Sequence, residues 1–146
     1  MRAGVDPAQL IAAIGDAVVV CDAAGHITAW NPAAERIFGF TQAEALGQSM
    51  DIFIPERLRK RHWEGCNETM RTGITKYGTD VLRVPAIDKQ GRALSIAFTV
   101  ALFAGPDGKP NAIAAVIRDE SVRFTEERAL RKRLAELEAQ LAARGA

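Results

Sequence analysis

The segment RHWEGCNETM, residues 61–70, carries three side chains that could bind haem iron or a soft metal ion. His62, Cys66 and Met70 are spaced four residues apart, so they share one side of any helix formed there. Imidazole, thiolate and thioether groups are all known ligands of haem or transition metals. Successive positions in this series rise by about 6 Å along a helix, so at most an adjacent pair could contact one ion. The spacing therefore predicts no zinc or copper site built by all three. It leaves His62 either as a haem ligand or as a core histidine that hydrogen-bonds to a backbone or carboxylate oxygen.

The composition is that of a one-domain chain with balanced charge. Its 146 residues are 48% hydrophobic, and 19 basic against 18 acidic residues give a formal net charge of +1. This balance predicts no general attraction to nucleic acid or to an anionic membrane surface. No apolar run approaches the roughly 18–20 residues that span a bilayer, and the N terminus lacks a signal-peptide pattern. We therefore expect a cytoplasmic protein in which Cys21 and Cys66 are free thiols.

Capping signals and apolar periodicity predict four helices in the first half of the chain. Asn31 followed by a proline is typical of a helix start, and Thr41 with Glu44 matches a capping box. Asp6 precedes a proline in the same way near the N terminus, where its side chain is expected to cap. The predicted helices cover residues 7–14, 32–38, 42–46 and 56–71.

Alternating and β-branched segments predict five strands. Residues 17–22 and 26–30 form a predicted hairpin around the turn DAAG. Three further strands are predicted in the second half of the chain, where Pro85 favours an edge strand or a bulge. They cover residues 78–88, 92–103 and 111–118. This order predicts an α+β domain, in which a five-stranded antiparallel sheet carries short helices over one face.

The composition changes from about Ser121 onward, where the chain becomes rich in Ala, Leu, Glu and Arg. Four leucines there are spaced 4-3-4, which predicts a short coiled-coil seam and hence a dimer. These leucines are Leu130, Leu134, Leu137 and Leu141. We expect a homodimer that forms through the N-terminal and C-terminal helices. The predicted organisation is a cap helix over residues 1–15, a sheet domain over 16–120 and a linking helix over 121–146.

Three segments together resemble a PAS domain, the sensor module of bacterial signalling proteins. They are VVVCDAAGHITAWNPAAERIFGFTQAEALGQ, DKQGRALSIAFTVALF and IAAVIRDES, and the resemblance covers about residues 7–120. It implies a strand order of 2-1-5-4-3 and a small-molecule pocket under the helices. It also implies a signalling junction at Asp119-Glu120-Ser121, where Ser121 stands for the usual threonine. The implied function is sensing and dimerisation, with the signal passed to an output domain: a sensor histidine kinase, a cyclase or a transcription regulator.

The resemblance also implies which side chains could line the pocket, although the aromatic ones among them could equally be plain core. The candidates are His62, Cys66, Met70, Met50, Phe53, Phe98 and Trp30. In light-sensing flavin PAS domains a cysteine bonds to the flavin, but Met50 falls at that position, which excludes this chemistry and makes flavin less favoured.

The chain resembles FixL-type haem PAS domains most closely, but our alignment places Thr75 at the haem histidine of that family. It places Val81 near the distal arginine, so haem would need another ligand, for which His62 is the candidate. The cofactor is therefore unknown, with haem, flavin and a ligand-free dimerisation module as open alternatives. No phosphate loop, GxSxG, HExxH or kinase motif occurs, so we expect a sensor rather than an enzyme.

Overall fold

The computed structural model describes residues 4–74 and 79–145, and its centre is a five-stranded antiparallel sheet in the order β2-β1-β5-β4-β3. The predicted α+β fold and strand order are therefore confirmed. The start predicted for the third strand, at residue 78, lies outside the described residues. The strands are β1 (Ala17–Asp22), β2 (Ile27–Trp30), β3 (Leu82–Ile87), β4 (Ala93–Ala104) and β5 (Pro110–Asp119).

The helices begin and end close to the predicted residues because the signals that set them are local. Asn31 accepts a hydrogen bond from the Ala34 N–H, and Gly39 ends the same helix in a left-handed conformation. Thr41 and Glu44 form the predicted capping box. The helices are α1 (Pro7–Ala13), α2 (Pro32–Phe38), α3 (Gln42–Ala45), α4 (Glu56–Thr72) and α5 (Ser121–Arg144), with a 3-10 turn at Met50–Phe53.

The prediction of Asp6 as the N-cap residue is confirmed in position only. Asp6 occupies the N-cap position of α1, but its side chain makes no capping hydrogen bond. Pro7 lies in the first turn, where a proline is favoured because its fixed backbone angle suits a helix start. None of the helices in the described ranges is long and apolar enough to cross a membrane.

The core lies between the inner face of the sheet and the helices α2 to α4. Along β1, alternate residues are buried, as expected for a strand with one covered face. The largest side chains in this core form an aromatic cluster of Trp30, Phe38 and Phe53, with ring centroids 4.9 to 6.1 Å apart. The indole of Trp30 also donates to the Phe40 carbonyl at 2.9 Å, so its one polar atom is satisfied inside the core.

The buried side chain of Asn31 connects three elements: α1, β1 and α2. Its Nδ2 donates to the carbonyls of Ile11 and Asp16, at 2.9 and 3.0 Å. Its Oδ1 accepts from the N–H groups of Val18 and Ala34, at 2.8 and 3.0 Å. The side chain thereby holds the end of α1 and the start of β1 against the first turn of α2.

Pro85 lies in β3, which is an edge strand of the sheet as the sequence predicted. A proline has no backbone N–H for a sheet ladder, so an edge position tolerates it. β5 lies in the middle of the sheet, between β1 and β4, and leads directly into α5. The central strand of the sheet is therefore the one that carries the C-terminal helix.

Candidate functional site

The helix α4 forms the wall of the domain that carries the RHWEGCNETM segment. His62, Cys66 and Met70 are all half-buried on this helix, as their spacing indicated. Cys66 packs against the hydrophobic core, whereas Met70 is not among the described residues that do so. Of the three candidates, Cys66 is therefore the one that packs against the core, and His62 is placed with its Nδ1 buried.

Two side chains fasten the first half of α4 to the 3-10 turn below it. The Trp63 indole Nε1 donates to the Asp51 carboxylate at 2.7 Å. The Arg59 guanidinium donates to the carbonyls of Ile54 and Asp51, at 3.1 and 3.3 Å. Each of these hydrogen bonds has one charged partner, the Asp51 carboxylate or the Arg59 guanidinium, and such bonds are stronger than neutral ones.

Trp63 also lies directly against the turn between β1 and β2. A Cβ atom added at Gly25 would be only 2.2 Å from Cη2 of the Trp63 ring. Gly25 has a φ of 86°, in the left-handed region that favours glycine. A side chain at this position would therefore be strained by its backbone and would collide with the ring.

His62 is a neutral imidazole at the inner side of α4. Its Nδ1 is buried and has no hydrogen-bond partner among the described residues. Burial lowers the pKa of His62 below its usual range, and the nearby Asp51 carboxylate offsets only part of that effect. The ring packs edge-on against Trp63, with centroids 4.9 Å apart. The sequence alone left open that His62 hydrogen-bonds to a backbone or carboxylate oxygen. Its Nδ1 makes no such bond to the described residues.

The two cysteines are free thiols held in the protonated form. Burial raises the pKa of Cys21 to about 12, with smaller contributions from Cys66 and Asp22. Burial also raises the pKa of Cys66. Because the thiolate is the nucleophile and metal ligand, neither thiol is prepared for either role. Within residues 4–74 and 79–145 there is also no cluster of three or more His, Cys, Asp or Glu residues that could hold a metal ion.

Of the remaining pocket candidates, Trp30, Phe53 and Met50 are buried and Phe98 is half-buried. Trp30 and Phe53 belong to the aromatic cluster of the core, and Met50 is buried at the start of the 3-10 turn. Phe98 is half-buried on β4, where it pairs with Ile117 on the adjacent strand. Each of these side chains packs against or within the hydrophobic core. That any of them contacts a ligand stays a prediction.

Two surface grooves stand out in the described part of the chain, and both lie away from His62. One groove of about 370 Å³ runs between α1 and the β2–α2 connection, lined in part by Ile11, Trp30 and Glu35. The other, of about 310 Å³, lies along the first turns of α5, beside Val122 and Thr125. Thr75, the position aligned with the FixL-type haem histidine, lies outside the described residues.

The junction between the sheet and α5 is a short hydrogen-bonded network. The Asp119 carboxylate accepts from the Ser121 N–H at 2.9 Å, so it caps the first turn of the helix. The Ser121 hydroxyl oxygen accepts from the Ser95 N–H on β4 at 3.0 Å, and the Glu120 N–H donates back to the Ser95 carbonyl. Arg83 on β3 pairs with the Glu120 carboxylate at 3.3 Å. The start of α5 is thus bonded to both strands beyond β5.

Beyond this junction, α5 projects away from the domain. All side chains from Val122 to Gly145 are exposed. The four leucines of the predicted seam, residues 130, 134, 137 and 141, are between 40% and 69% exposed. The helix therefore leaves an apolar stripe uncovered by its own chain.

Comparison with known proteins identifies the domain. The family described as PAS fold matches residues 6–119. The Sensor protein FixL of Bradyrhizobium diazoefficiens is 43% identical over 54 residues, which are 37% of this chain and 11% of that protein. The Oxygen sensor protein DosP of Escherichia coli K12 is 26% identical over 103 residues, or 70% of this chain and 13% of DosP. The chain thus spans about an eighth or less of the length of these two sensors.

A solved structure shows the same fold. The PAS domain of a Colwellia psychrerythraea protein superposes with a TM-score of 0.67 at 20% identity, covering 78% of this chain and 93% of that one. Its strands and helices support the topology described above. The family match over residues 6–119 agrees with the observed five-stranded sheet. The chain therefore belongs to the PAS fold family.

Proposed function

We propose that this chain is the sensing module of a cytoplasmic signalling protein, and that it passes the state of its interior to an output domain through α5. Two similar proteins are named as sensors, and this chain covers only a small share of each, which leaves room for an output domain. A sensor histidine kinase, a cyclase or a transcription regulator would each suit this role. The output, its partners and the direction of the signal belong to this proposal.

The observation that carries the proposal is the network at the start of α5. Ser95 lies on β4 and exchanges two hydrogen bonds with the helix start, one through Ser121 and one through Glu120. A shift of β4 relative to β5 would break or lengthen these bonds. Since they orient the first turn, such a shift would change the angle at which α5 leaves the sheet.

Hydrogen exchange of the full chain tests this coupling. Ser121→Ala removes the hydroxyl acceptor, so the Ser95 amide and the first-turn amides should exchange about fivefold faster, as the loss of one hydrogen bond worth about 1 kcal/mol predicts. Ser121→Thr keeps the hydroxyl and should exchange like the parent. Ser95→Ala is the matched control, because the hydrogen bonds of Ser95 to the helix use only its backbone. Unchanged exchange in Ser121→Ala would count against the proposed junction.

The proposal includes dimerisation through the leucine stripe of α5, with a second contribution from α1, where Leu10 and Ile11 are exposed. Leu137→Asp places a charge in the seam and should convert the dimer to monomer in sedimentation velocity. Ala135→Asp adds the same charge on the outward side and should leave the dimer intact. Equal behaviour of the two variants would remove α5 from the dimer interface.

A haem-based gas sensor is the second candidate, and it rests on His62. Imidazole ligates iron in its neutral form, which burial favours here, and the buried Nδ1 has no protein partner in the described ranges. DosP is named as an oxygen sensor, and haem bound beside α4 would supply iron for binding a gas. The residues offer one suitable donor, while neither groove described above lies beside it.

The absorption spectrum of freshly purified protein separates these candidates. A Soret band that is present in the parent and in His26→Gln but lost in His62→Gln would support haem ligation by His62. Absorption typical of flavin would favour a flavin sensor without cysteine photochemistry, since Met50 carries no thiol. A colourless protein that still dimerises would favour a module without a coloured cofactor.

A further inference from the structure

The larger of the two surface grooves combines an open space with a carboxylate. This α1 groove, of about 370 Å³, lies between α1 and the connection from β2 to α2. Its volume falls within the roughly 300–1,000 Å³ that is usual for small-molecule sites. Among the described residues that line it, Glu35 on α2 is the only charged one. The groove can therefore distinguish ligands by their charge.

Small apolar side chains make up much of the groove walls. Ala8 and Ala12 lie about one helical turn apart on α1, so they share one side of that helix. Ile11 on α1 and Pro32 on α2 add further apolar surface. A ligand that fits these walls has a short apolar body beside its charged group.

The side chain of Asn31 holds α1 in place as one wall of the groove. Its Nδ2 donates to the Ile11 carbonyl at 2.9 Å and to the Asp16 carbonyl at 3.0 Å, while its Oδ1 accepts from two backbone N–H groups. These four bonds use the full hydrogen-bonding capacity of the amide. Asn31 therefore shapes the groove, and the polar contacts to a ligand must come from other residues.

The carboxylate of Glu35 is oriented by a contact to the next helix. Its Oε2 accepts from the Gln42 N–H, at the start of α3, at 2.7 Å. Its Oε1 accepts no hydrogen bond from the described residues, and Glu35 takes part in none of the ion pairs that residues 4–74 and 79–145 form. The side chain is half-buried. One oxygen is thus fixed, and the other is available to a charged donor.

This arrangement selects among the possible cations. A guanidinium binds a carboxylate best through two parallel bonds, which needs both oxygens, but Oε2 is already used. A metal ion needs several ligands, and the described residues contain no cluster of three or more His, Cys, Asp or Glu that could hold one. An ammonium group needs only one carboxylate oxygen. The Thr28 hydroxyl, which donates to the Val20 carbonyl at 3.3 Å, offers its oxygen as a further acceptor on the groove wall.

We propose that the α1 groove binds a small aliphatic monoamine, with its ammonium group on Oε1 of Glu35 and its apolar body against Ala8, Ala12 and Pro32. The groove lies away from His62 and from α5, so this site does not depend on the proposed sensing function. A ligand there contacts α1 and α2 together. Its binding therefore fastens α1 to the rest of the domain.

An NMR titration of the ¹⁵N-labelled full chain with n-butylamine, which is an ammonium ion at pH 7, tests the charge contact. The amides of Ala12, Thr28 and Gln42 should shift in a saturable way. Glu35→Gln keeps an oxygen for the Gln42 N–H but should weaken binding about tenfold, as expected for the loss of a hydrogen bond between charged groups. 1-Butanol, which has the same body without the charge, should bind the parent about tenfold more weakly as well.

Glu64→Gln is the matched control, because it makes the same charge change on the exposed side of α4. It should bind n-butylamine like the parent. Equal affinity of the parent and Glu35→Gln, or equal affinity for the amine and the alcohol, would overturn the proposal.

Filling the groove tests its position without touching the carboxylate. Ala12→Leu adds a larger side chain to the groove wall and should abolish the saturable shifts. Ala13→Leu makes the same change at the neighbouring exposed position of α1, which does not line the groove, and should bind like the parent. Similar binding by the two variants would overturn the assignment to this groove.

Hydrogen exchange measures the fastening of α1. The Leu10 and Ile14 amides donate to the Asp6 and Leu10 carbonyls. At an amine concentration of ten times Kd these amides should exchange about tenfold more slowly, since only the docked helix completes the site. Unchanged exchange would overturn the contact with α1. An amine affinity that falls as the protein concentration rises would show that a second copy covers the groove, which would also overturn the proposal.

Discussion

The two long helices, α4 and α5, differ in how they are held. The first is pinned to the domain by Trp63 and Arg59, and its inner side chains reach the core. The second is bonded to the sheet at its start, and within the described residues every side chain from Val122 to Gly145 is exposed. In the described structure α4 therefore borders the interior of the domain, while α5 leaves its apolar stripe exposed.

Helix-forming tendency does not explain the difference. α4 follows Pro55 and ends at Gly73 in a left-handed conformation, which are ordinary local signals. α5 begins with a cap from Asp119. Both segments form helices for local reasons. α4 is then held against its own domain by side chains in the middle of the helix, such as Trp63 against Asp51 and Gly25, whereas the bonds of α5 to the sheet lie at its first residue. Variants that remove such groups should therefore affect the stability of the domain through α4 and hardly at all through α5.

The largest expected effect is that of removing the ring that anchors α4. Trp63→Ala should lower the free energy of unfolding by about 3 kcal/mol, because it deletes a large packed ring and its bond to Asp51. The matched change in α5, Phe124→Ala, should shift it by less than about 0.5 kcal/mol, as expected for an exposed side chain. Urea unfolding at low protein concentration measures both values. Similar losses in the two variants would contradict the contrast between the helices.

The contact between Trp63 and Gly25 should give the next largest effect. Gly25→Ala should cost about 2–3 kcal/mol, from a strained backbone and a collision with the ring. Gly47→Ala is the matched control, with a φ of 82° and no atom within 4 Å of the added Cβ. It should cost only about 1 kcal/mol.

A Trp63→Ala background sharpens this test. Without the ring, the cost of Gly25→Ala should fall to that of Gly47→Ala, so the two changes should be clearly non-additive. Additive losses of unfolding free energy in the double variant would show that Trp63 does not lie on this turn.

A smaller effect is expected from protonation of His62. Its pKa in the folded protein lies below the usual value of 6.5, so the unfolded chain takes up a proton more readily. The contribution of neutral His62 is complete above pH 6.5 and is lost as the pH falls through that value towards the folded-state pKa. His62→Gln should flatten the decline in unfolding free energy over this range. His26→Gln, at the exposed turn, controls for the loss of a histidine, and an unchanged slope in His62→Gln would argue against its burial.

The smallest expected effect is a stabilisation of α4. Gly65 lies in the middle of this helix, and an added Cβ would meet no atom within 4 Å. Gly65→Ala should therefore raise the free energy of unfolding by about 0.5–1 kcal/mol. The reverse change in α5, Ala135→Gly, should reduce helix content in circular dichroism without lowering the stability of the sheet domain. A lower domain stability in Ala135→Gly would mean that α5 folds as one unit with the sheet.

The features that the sequence predicted well are those set by neighbouring residues. Asn31 as a helix cap, Gly39 as a helix end and the Thr41–Glu44 capping box involve groups a few positions apart, so a short pattern contains all the partners. The strand order came instead from the resemblance to PAS domains, because the pairing of distant strands leaves no local pattern.

The features that the sequence did not predict depend on residues brought together by folding. Trp63 was visible only as an aromatic residue, and nothing nearby pointed to Asp51 or Gly25 as its partners. The role of Asn31 in holding Ile11 and Asp16 was missed as well, since a helix cap already accounted for that residue. The sequence signal closest to the Trp63–Gly25 contact was Gly25 itself, in DAAG. A glycine there indicates a turn and does not point to a contact with a distant ring.

The sequence by itself determined the helices and strands of this protein, their order and the leucine stripe of α5. The reason is that apolar periodicity and capping groups act over a few neighbouring residues. The sequence also determined that His62 and Cys66 share a helix face. Only the tertiary structure decided that this face meets the core, that the Nδ1 of His62 is left without a partner among the described residues, and that the leucine stripe stays exposed. Those outcomes depend on packing between segments that are distant in sequence. Such segments come into contact only when the sheet has formed.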